Sequence, residues 1–431
     1  MKSILLNYSD FAGGAAIAAY RTHQSLRSVG VDSTMWVNKK VTDDWSVMGG
    51  APRAQLITRL RSTLGIKIPE LLFSDEEKIE RSYNWISSAW AEKLNASQAD
   101  LVHLQWINAE TVSIRDLSKI KKPMLLTMHD MWAFCGGEHY TESDRWVDGY
   151  SKQSKPDSIK GVDIDRCIWK AKRKHWGEHF QLVAISDWLA SCVKASALFK
   201  DWPITVIPNP IDTTVWKPLD KKIAREAFNL PIDKKILLFG ALGGTSNPRK
   251  GYELLDEALS YIKEARNDIH LVVYGQGTPE YPPASHFPIT YAGRLSDPSA
   301  MCMLNNAADV HVNPSIQEAF GQTASEAHAC GLPVVAFNET GIADIVEHRK
   351  SGYLASHSDA RDLANGILWV LDKTNLPETS DHRMMRATAR ERAVDLFSYD
   401  VVGQQYRTLY ENVIERTHGK ITDARVADKA V

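Results

Sequence analysis

The sequence predicts an α/β protein built from doubly wound parallel sheets in two domains. Short apolar runs rich in β-branched residues alternate with helical stretches, as expected for parallel strands covered on both faces. The runs fall at 4–8, 34–37, 101–106, 124–128, 182–185, 205–207, 236–240, 269–274, 288–291, 309–312 and 333–337. The length of 431 residues suits two or three domains of roughly 150 residues each.

The alternation is interrupted at the segment IPNPIDTTVWKP, which carries three prolines and shows no periodicity. Such a segment is typical of an interdomain linker. We therefore predict a first domain over 1–207, a linker over 208–218 and a second domain over 219–396. A helix over 397–416 would cross back to the first domain, and the polar residues 417–431 would form a tail.

The composition excludes several classes of protein. Hydrophobic residues make up 44% of the chain and charged residues 24%, as in soluble globular proteins. The net charge of −2 argues against nucleic acid as a partner. The 5 cysteines form no C-x-x-C pair, which argues against a disulfide framework or a zinc site. With no signal-peptide core and no run of about 20 apolar residues, we predict a cytoplasmic protein whose membrane contact is at most peripheral.

The stretch 314–333 is predicted to bind an anionic ligand. DVHVNP reads as a strand that ends in a turn, SIQEAFG as a loop and QTASEAHAC as a helix. Gly321, Gln322 and Thr323 thus lie at a helix N-terminus, where free N–H groups and the helix dipole favour a pyrophosphate. Open α/β sheets bind ligands at this edge, beyond the carboxyl ends of their strands.

Two glutamates and two cations are the candidate polar side chains of this region. Because carboxylates accept hydrogen bonds from hydroxyl groups, we assign Glu318 to a transferred sugar and Glu326 to a ribose. The alternative is that Glu326 is a solvated helix residue and Glu318 a cap-like carboxylate. The loop 240–251 carries Arg249 and Lys250, which would neutralise a diphosphate leaving group unless the loop is only a solvated turn.

Together these motifs resemble a known family. E-A-F-G-x-x-x-x-E, A-C-G-L-P-V-V, T-G-I-A-D-I-V and S-G-Y-L are similar to the signature of the family 4 retaining glycosyltransferases. The resemblance covers most of the second domain and implies the GT-B architecture, in which two Rossmann-like domains face a central cleft. It implies that Glu318 contacts the sugar of a nucleoside-diphosphate donor and Glu326 its ribose. Phe320, inside the first motif, joins the predicted donor-binding residues.

Two further loops are assigned through the resemblance. It implies that Gly293, Arg294 and Leu295 lie in the region that contacts the base. It also implies that Gly13 and Gly14, after the first strand, approach the donor and the acceptor. A Gly-Gly pair alone is weak support, because many turns contain one.

The chain departs from the family pattern at one position. Relatives usually have a Gly-Arg pair after the first strand of the second domain, whereas this chain has Gly240-Ala241. The Lys-Gly pair that follows several residues later is present as Lys250-Gly251. Arg249 is therefore a candidate replacement for the missing arginine.

His129 is the candidate reaction-centre residue of the first domain. It follows the strand 124–128, and the stretch T-M-H-D-M-W-A-F-C-G-G-E-H-Y resembles a subgroup that acts in exopolysaccharide and O-antigen assembly. The resemblance implies that this histidine lies beside the donor sugar, although a lone histidine is more often structural. The cysteines that often follow in the subgroup are absent, so the acceptor specificity of those relatives does not carry over.

Three other segments have a functional and an ordinary interpretation. The stretches 53–72 and 170–175 are basic and lie among apolar residues. Such helices lie on anionic membranes or are solvated faces of the protein. Asp163-Ile-Asp165 matches a D-x-D metal motif but falls in a polar loop, so we predict no metal and no cofactor.

The sequence therefore predicts a retaining, metal-independent glycosyltransferase. It would move a hexose from a UDP- or GDP-sugar to a glycan or lipid-linked acceptor in bacterial-type surface polysaccharide synthesis. His129, Glu318 and Lys250 would be catalytic. The alternatives are a sugar-nucleotide 2-epimerase of the same architecture and a non-enzymatic sugar-nucleotide-binding protein. A nicotinamide enzyme is disfavoured, because no G-x-G-x-x-G follows a strand with an acidic residue about 20 positions on.

Overall fold

The computed structural model describes residues 1–50, 52–75, 79–177, 180–240, 243–281, 284–373 and 380–427. The chain divides into two compact units. The first comprises Met1–Pro208 and the residues from Val402 onward, and the second comprises Asn209–Val401. Each unit is built on a parallel sheet, which confirms the predicted α/β, Rossmann-like fold class.

The first unit contains the N-terminal sheet. Its strands are β1 (Lys2–Ser9), β2 (Asp32–Lys39), β3 (Val47–Gly49), β4 (Phe73–Asp75), β5 (Leu101–Leu104), β6 (Met124–Met128), β7 (Ile159–Gly161), β8 (Phe180–Ala184) and β9 (Ile204–Val206). Its helices before the domain boundary are α1 (Gly14–Ser28), α2 (Pro52–Leu72), α3 (Trp90–Ala96), α4 (Ile114–Leu117), α5 (Arg145–Asp148), α6 (Ile164–His175) and α7 (Asp187–Ala195). The main sheet has the order β3-β2-β1-β5-β6-β8-β9 with parallel pairing, and β4 pairs antiparallel with β7.

The second unit contains the C-terminal sheet. Its strands are β10 (Lys235–Gly240), β11 (Ile269–Tyr274), β12 (Ile289–Gly293), β13 (Val310–Asn313), β14 (Val334–Phe337) and β15 (Gly352–Ala355). Its helices are α8 (Lys221–Ala227), α9 (Tyr252–Ala265), α10 (Pro298–Ala307), α11 (Gln322–Ala329), α12 (Ala360–Lys373) and α13 (Ser380–Phe397). The order β12-β11-β10-β13-β14-β15 is parallel throughout.

Each sheet has a point where the strand order reverses direction. In the first unit, the strands that follow β1 in the chain are added on one side of it, and the strands from β5 onward are added on the other side. In the second unit, β10 and β13 are the corresponding neighbouring strands. The loops that leave two such neighbouring strands diverge to opposite sides of the sheet, which opens a crevice at their carboxyl ends. The loops after β1, β10 and β13, together with the helices that they lead into, carry most of the candidate site residues.

The last helix, α14 (Tyr399–Ala427), packs on the first unit. Its apolar residues Val402, Tyr406 and Tyr410 share a buried cluster with Leu5 of β1 and Leu125 of β6. The helix extends beyond the predicted end at residue 416, through Gly419, so most of the predicted tail is helical. The last four residues, 428–431, lie outside the described part of the chain.

The segment 208–218, predicted as a linker, is hydrogen-bonded to the second unit. The Arg390 guanidinium of α13 donates to the backbone oxygens of Thr213 and Trp216, at 2.9 and 2.6 Å. The Ile211 N–H donates to the Phe397 oxygen at 2.7 Å. Prolines indicate that a segment is irregular, but they do not indicate what its backbone is bonded to.

Four short strands have no counterpart among the predicted runs: β3, β4, β7 and β15. Each has only three or four residues. No helix in the described part of the chain is long and apolar enough to cross a membrane.

Candidate functional site

The loops that follow β10 and β13 meet at the reversal point of the second sheet. The Ile316 N–H donates to the Arg249 oxygen at 2.9 Å. Gly251 has a φ of 67°, and a Cβ at this position would lie 1.9 Å from the Pro314 oxygen. Only glycine allows the two loops to approach this closely. The Lys-Gly pair of the sequence motif therefore fixes where Lys250 lies.

Lys250 and Glu318 form an ion pair across these two loops. The Lys250 Nζ lies 2.5 Å from the Glu318 Oε2, and the two side chains are only 19% and 15% exposed. The Ser315 hydroxyl donates to the same carboxylate oxygen at 3.4 Å. Burial alone would raise the pKa of Glu318, but the positive charges of Lys250 and Arg249 outweigh it and hold the pKa below its usual value. Glu318 is thus a carboxylate at neutral pH.

Arg249 also contacts the loop that carries Glu318. Its Nη1 donates to the Gln317 oxygen at 2.6 Å, so the guanidinium is held close to Glu318, whose pKa it lowers. Ala241, where the family pattern has arginine, lies outside the described residues. The replacement of that arginine by Arg249 stays a prediction.

The start of α11 is shaped by two glycines in close contact with their surroundings. Gly321 caps the helix with a φ of 92°, and a Cβ there would lie 2.6 Å from the Ile342 side chain. A Cβ on Gly341 would lie 2.2 Å from the Ala319 oxygen, and the Gly341 N–H donates to the Glu318 oxygen at 2.8 Å. The T-G-I-A-D motif thus packs closely against the E-A-F-G loop and is hydrogen-bonded to it. The first turn of α11 follows Glu318 closely in the chain.

The side chains of Gln322, Thr323 and Phe320 differ in their surroundings. The Thr323 Oγ1 accepts a hydrogen bond of 3.3 Å from the Asn313 amide at the end of β13. Gln322 is half-buried. Phe320 is buried, and its ring packs edge-on against Phe397 at a centroid distance of 5.5 Å. Phe320 therefore anchors the loop with its side chain, and only its backbone is available to a ligand.

Glu326 is buried rather than solvated, with only 7% of its surface exposed. The solvated-face interpretation of this residue is therefore wrong. Tyr274, the last residue of β11, lies close to it: burial first, and then the charge of Glu326, raise the pKa of the tyrosine far above its usual value. A Cβ on Gly240 would lie within 2.0 Å of the Tyr274 ring. Sequence reasoning missed Tyr274, although its position at a strand end could have signalled it.

Gly293, Arg294 and Leu295 lie at the carboxyl end of β12, at the edge of the same sheet. Gly293 has a φ of 75°, and nothing lies within 4 Å of a Cβ built on it. Its oxygen accepts a hydrogen bond of 2.9 Å from the Gly275 N–H. Arg294 is exposed and Leu295 half-buried. The structure thus leaves open space beside the backbone predicted to contact the base.

In the first unit, the glycine pair lies at the reversal point, where β1 leads into α1. Gly13 caps α1 with a φ of 93° and has open space around a built Cβ. The preceding loop is held by Asp10, whose carboxylate accepts the N–H groups of Val41 and Thr42 at 2.8 and 2.9 Å. Gly14 is the first residue of the helix.

His129 is the first member of a chain of hydrogen bonds at the carboxyl ends of β5 and β6. Its Nε2 lies 2.6 Å from the Gln105 Oε1, the Gln105 amide lies 2.9 Å from the His103 Nε2, and the His103 Nδ1 lies 2.6 Å from the Tyr410 hydroxyl of α14. Burial lowers the pKa of His129 to about 4 and that of His103 to about 3. Both imidazoles are neutral near pH 7, and the Gln105 Oε1 accepts a hydrogen bond from the Nε2–H of His129. No sequence motif singles out Gln105, and only its place at the end of β5 could have signalled it.

The residue next to His129 belongs to a second buried network. Asp130 accepts from the His139 Nδ1 at 2.7 Å and from the Trp106 indole at 3.1 Å. The charge of Asp130 outweighs burial and raises the pKa of His139, whose Nε2 lies 2.9 Å from the Ser82 hydroxyl. This network fixes the loop that follows β6.

Charged and aromatic side chains stabilise the segment 132–150, which follows β6. Lys172 of α6 is fully buried, and its Nζ donates to the backbone oxygens of Trp132, Cys135 and Gly136. Burial lowers the pKa of Lys172 to about 7. Glu138 accepts from the Tyr150 hydroxyl at 3.1 Å, and burial raises the pKa of this glutamate to about 7.

The D-x-D motif is engaged in structural contacts. Asp163 caps α6 and lies 2.5 Å from Arg145, and Asp165 lies 3.2 Å from Arg81. In the described residues, no three His, Cys, Asp or Glu side chains cluster in a way that could hold a metal ion. The absence of a metal from the reaction stays a prediction.

Known proteins resemble this chain in sequence. Residues 233–373, the core of the second unit, match the family described as "Glycosyl transferases group 1". The phosphatidyl-myo-inositol mannosyltransferase of Mycobacterium leprae is 31% identical over 322 residues, covering 73% of this chain and 74% of that protein. The D-inositol 3-phosphate glycosyltransferase of Thermobispora bispora is 27% identical over 230 residues, covering 50% of this chain and 52% of that protein. With several such relatives, the match spans only about half of the relative's length.

Solved structures share the fold at low sequence identity. The sucrose-phosphate synthase of Thermosynechococcus elongatus superposes with a TM-score of 0.67 at 21% identity, covering 96% of this chain and 100% of the other. Anabaena Alr3699/HepE, solved in complex with UDP and glucose, superposes with a TM-score of 0.61 at 16% identity, covering 95% of this chain and 99% of the other.

Proposed function

This chain belongs to the glycosyltransferases of GT-B architecture and family 4 type, and from that membership we propose that it transfers a hexose from a nucleoside-diphosphate sugar to an acceptor hydroxyl with retention of configuration. The observation that carries the proposal is the Lys250–Glu318 pair. The pair places a cation next to a carboxylate that can accept hydrogen bonds from hydroxyl groups. Both lie beside the start of α11, at the reversal point of the sheet.

The proposed chemistry exchanges one bond at the anomeric carbon. The acceptor oxygen attacks the face from which the diphosphate departs, the anomeric C–O bond to phosphate breaks, and the acceptor proton passes to the departing phosphate oxygen. The products are the glycoside and the nucleoside diphosphate. Negative charge grows on the leaving diphosphate, and preorganised cations and amides lower the barrier most where charge develops.

The residues of the second unit have different roles in the proposed reaction. Lys250, Arg249 and the backbone of residues 321–323 would stabilise the diphosphate. Glu318, ionised because its pKa is depressed, can only accept hydrogen bonds and would orient the sugar hydroxyls. Glu326 would bind the ribose, and the backbone of residues 293–295 the base.

His129 of the first unit would contact the transferred sugar, as the family resemblance implies. Its low pKa supports a role as a neutral hydrogen-bonding group rather than as a cation. Gly13 and Gly14 would let backbone amides approach the donor and acceptor. The positive field of Lys250, Arg249 and the α11 amides supports a reaction without a metal.

The donor and acceptor are proposed at the level of class. The HepE structure contains UDP and glucose, which supports a UDP- or GDP-sugar as the donor. The names of two relatives refer to inositol 3-phosphate and to phosphatidyl-myo-inositol, which supports a glycan or lipid-linked acceptor. We propose a role in surface polysaccharide synthesis, based on the resemblance around His129. The reaction would take place in the cytoplasm, at the inner face of the membrane when the acceptor is lipid-linked.

A donor screen followed by a product assay tests the proposal. Because a ligand that binds only the folded state raises the melting temperature, thermal shift with UDP- and GDP-sugars should identify the donor, and Lys250→Ala should remove the shift. The wild type with that donor and a mixture of glycan and lipid-linked acceptors should then yield a glycoside and a free nucleoside diphosphate. Isomerised donor sugar would support an epimerase, and binding without any product would support a non-enzymatic protein; either result contradicts the transferase proposal.

A further inference from the structure

The helix α2 presents apolar side chains to solvent. Leu56, Ile57, Leu60, Leu64 and Leu71 are between 50% and 85% exposed. The spacing 57-60-64-68-71, which includes the partly exposed residue at 68, follows the helical period, so these side chains form one stripe along the helix. Surface helices of soluble proteins normally turn such a stripe toward the core. A contiguous exposed apolar patch of this kind marks an interaction site.

Contacts on the opposite side fix the rotation of α2. The Ser62 hydroxyl donates to the Ala109 oxygen at 2.7 Å, and the Gly65 oxygen accepts from the Trp85 indole at 3.2 Å. A Cβ on Gly65 would lie 2.3 Å from the Glu110 side chain, so the helix backbone lies directly on this loop. The stripe points outward because the small and polar residues of α2 are the ones that fit against the protein.

Basic side chains lie within the apolar stripe of α2 and next to it. Lys67 lies within it and Arg59 beside its edge, and both are exposed. Glu70 is the single acidic residue in the sequence of α2. An apolar stripe with basic residues within it and beside it is the pattern of a helix that lies in a membrane interface.

The second basic segment of the sequence is connected to the same region. At its C-terminal end α2 runs into β4, which pairs with β7, and β7 leads into α6. The residues Lys170, Arg173 and Lys174 of α6 are exposed. The small sheet β4–β7 therefore links the two basic segments, which lie far apart in the sequence.

We propose that α2 docks the first unit onto a bilayer surface that carries anionic lipid, with the stripe in the acyl boundary and Arg59 and Lys67 at the headgroups. A second copy of the chain fits this face less well, because a twofold contact would bring the same cations of both copies together. Anionic headgroups complement those cations. The proposal concerns the surface alone and does not depend on the transfer reaction.

Vesicle sedimentation of the full chain, without donor, tests the proposal. The wild type should bind phosphatidylcholine vesicles that contain phosphatidylglycerol, and bind pure phosphatidylcholine vesicles at least about tenfold more weakly. Leu60→Ser with Leu64→Ser should weaken binding about tenfold or more, because two leucines no longer enter the acyl boundary. Arg59→Gln with Lys67→Gln should weaken binding to the anionic vesicles only. Ile223→Ser, at an exposed apolar residue of α8, is the matched control and should bind as the wild type does.

Three outcomes would overturn the proposal: no binding by the wild type, unchanged binding by both double variants, or equal loss in the Ile223→Ser control. Analytical ultracentrifugation of the same proteins tests the competing occupant. A dimer that the leucine variant converts to a monomer, without vesicle binding by the wild type, would make the stripe a self-association surface. Because the substituted residues are exposed, thermal melting should be unchanged, and the charge variant supplies an independent test if the leucine variant is unstable.

Discussion

The ammonium group of Lys250 lies 2.5 Å from a carboxylate oxygen of Glu318, although the two residues are 68 positions apart in the chain. Each follows one of the two strands that flank the reversal point of the sheet. Neither side chain is well exposed, so each charge offsets the cost of burying the other. A diphosphate bound near Lys250, as proposed, would share this cation, and the pair would then link donor binding to the orientation of Glu318.

We expect Lys250→Ala to lower kcat/KM about 10²- to 10³-fold, as the loss of a group that stabilises developing charge does. Donor affinity should fall as well, because the diphosphate loses its cation. Steady-state kinetics and calorimetric titration with the donor measure the two effects. Lys222→Ala is the matched control, since Lys222 is exposed and lies 4.0 Å from the exposed carboxylate of Glu226. Unchanged kinetics in Lys250→Ala would remove this lysine from the site.

The depressed pKa of Glu318 predicts a pH-dependent contribution to stability. A carboxylate whose pKa is lower in the folded state stabilises the fold above its unfolded pKa of about 4.5, and this contribution is lost as the pH falls through the folded value. Glu318→Gln should therefore lower the free energy of unfolding by roughly 1–3 kcal/mol at pH 7, and the difference from the wild type should shrink as the pH falls below the unfolded pKa and through the lower folded one. Denaturant unfolding at several pH values measures it, with the exposed Glu226→Gln as the control. A difference that is independent of pH would contradict the assignment.

The longer strands and the polar residues at their ends could be predicted from the sequence. The apolar run 269–274 forms a strand at the predicted position, because a buried parallel strand needs continuous apolar residues. The helix start at Gln322 is also predictable, since Gly321 and the small residues that follow mark it. The ion pair between Lys250 and Glu318 is not, because a contact between two loops depends on which strands are neighbours.

Other features depend on packing that no local pattern records. The burial of Glu326 follows from the helix face that meets the sheet. The hydrogen bond from Gln105 to His103 connects the end of β5 to α14 through Tyr410. The outward rotation of α2 depends on the close approach of its backbone to a loop more than 40 positions away, where the Ser62 hydroxyl meets the Ala109 oxygen across 47 positions. These contacts join segments that are distant in the chain.

Gly251→Ala should destabilise the second unit by about 2–4 kcal/mol, because its φ is 67° and the new Cβ would lie 1.9 Å from the Pro314 oxygen. The displaced loop would also carry Lys250 away from Glu318 and weaken donor binding. Denaturant unfolding and donor titration measure both. Gly277→Ala is the matched control, because nothing lies within 4 Å of a Cβ at that position. Equal stability of the two variants would show that the loop tolerates the side chain.

His129→Ala should lower kcat about 10²-fold or more while donor affinity changes by less than about threefold, as expected when an interaction is made mainly in the transition state. Single-turnover rates and donor titration separate the two quantities. His286→Ala, at an exposed histidine of the second unit, is the control and should behave as the wild type does. A large loss of donor affinity with an unchanged kcat would give His129 a binding role instead.

Gln105→Glu tests whether the side chain that His129 Nε2 contacts controls the protonation of the imidazole during the reaction. In the wild type burial lowers the pKa of His129 to about 4, so this group should cause no inflection in kcat between about pH 6 and about pH 8. A carboxylate at position 105, close to the Nε2 that now lies 2.6 Å from the amide oxygen, favours the charged imidazole and raises its pKa. The kcat of Gln105→Glu should therefore fall as the pH drops through an inflection that the wild type lacks. Gln105→Met removes the hydrogen bond without adding charge, so it should lower kcat at every pH and leave the profile flat. A flat profile for Gln105→Glu as well would show that His129 is not held by Gln105 during the reaction.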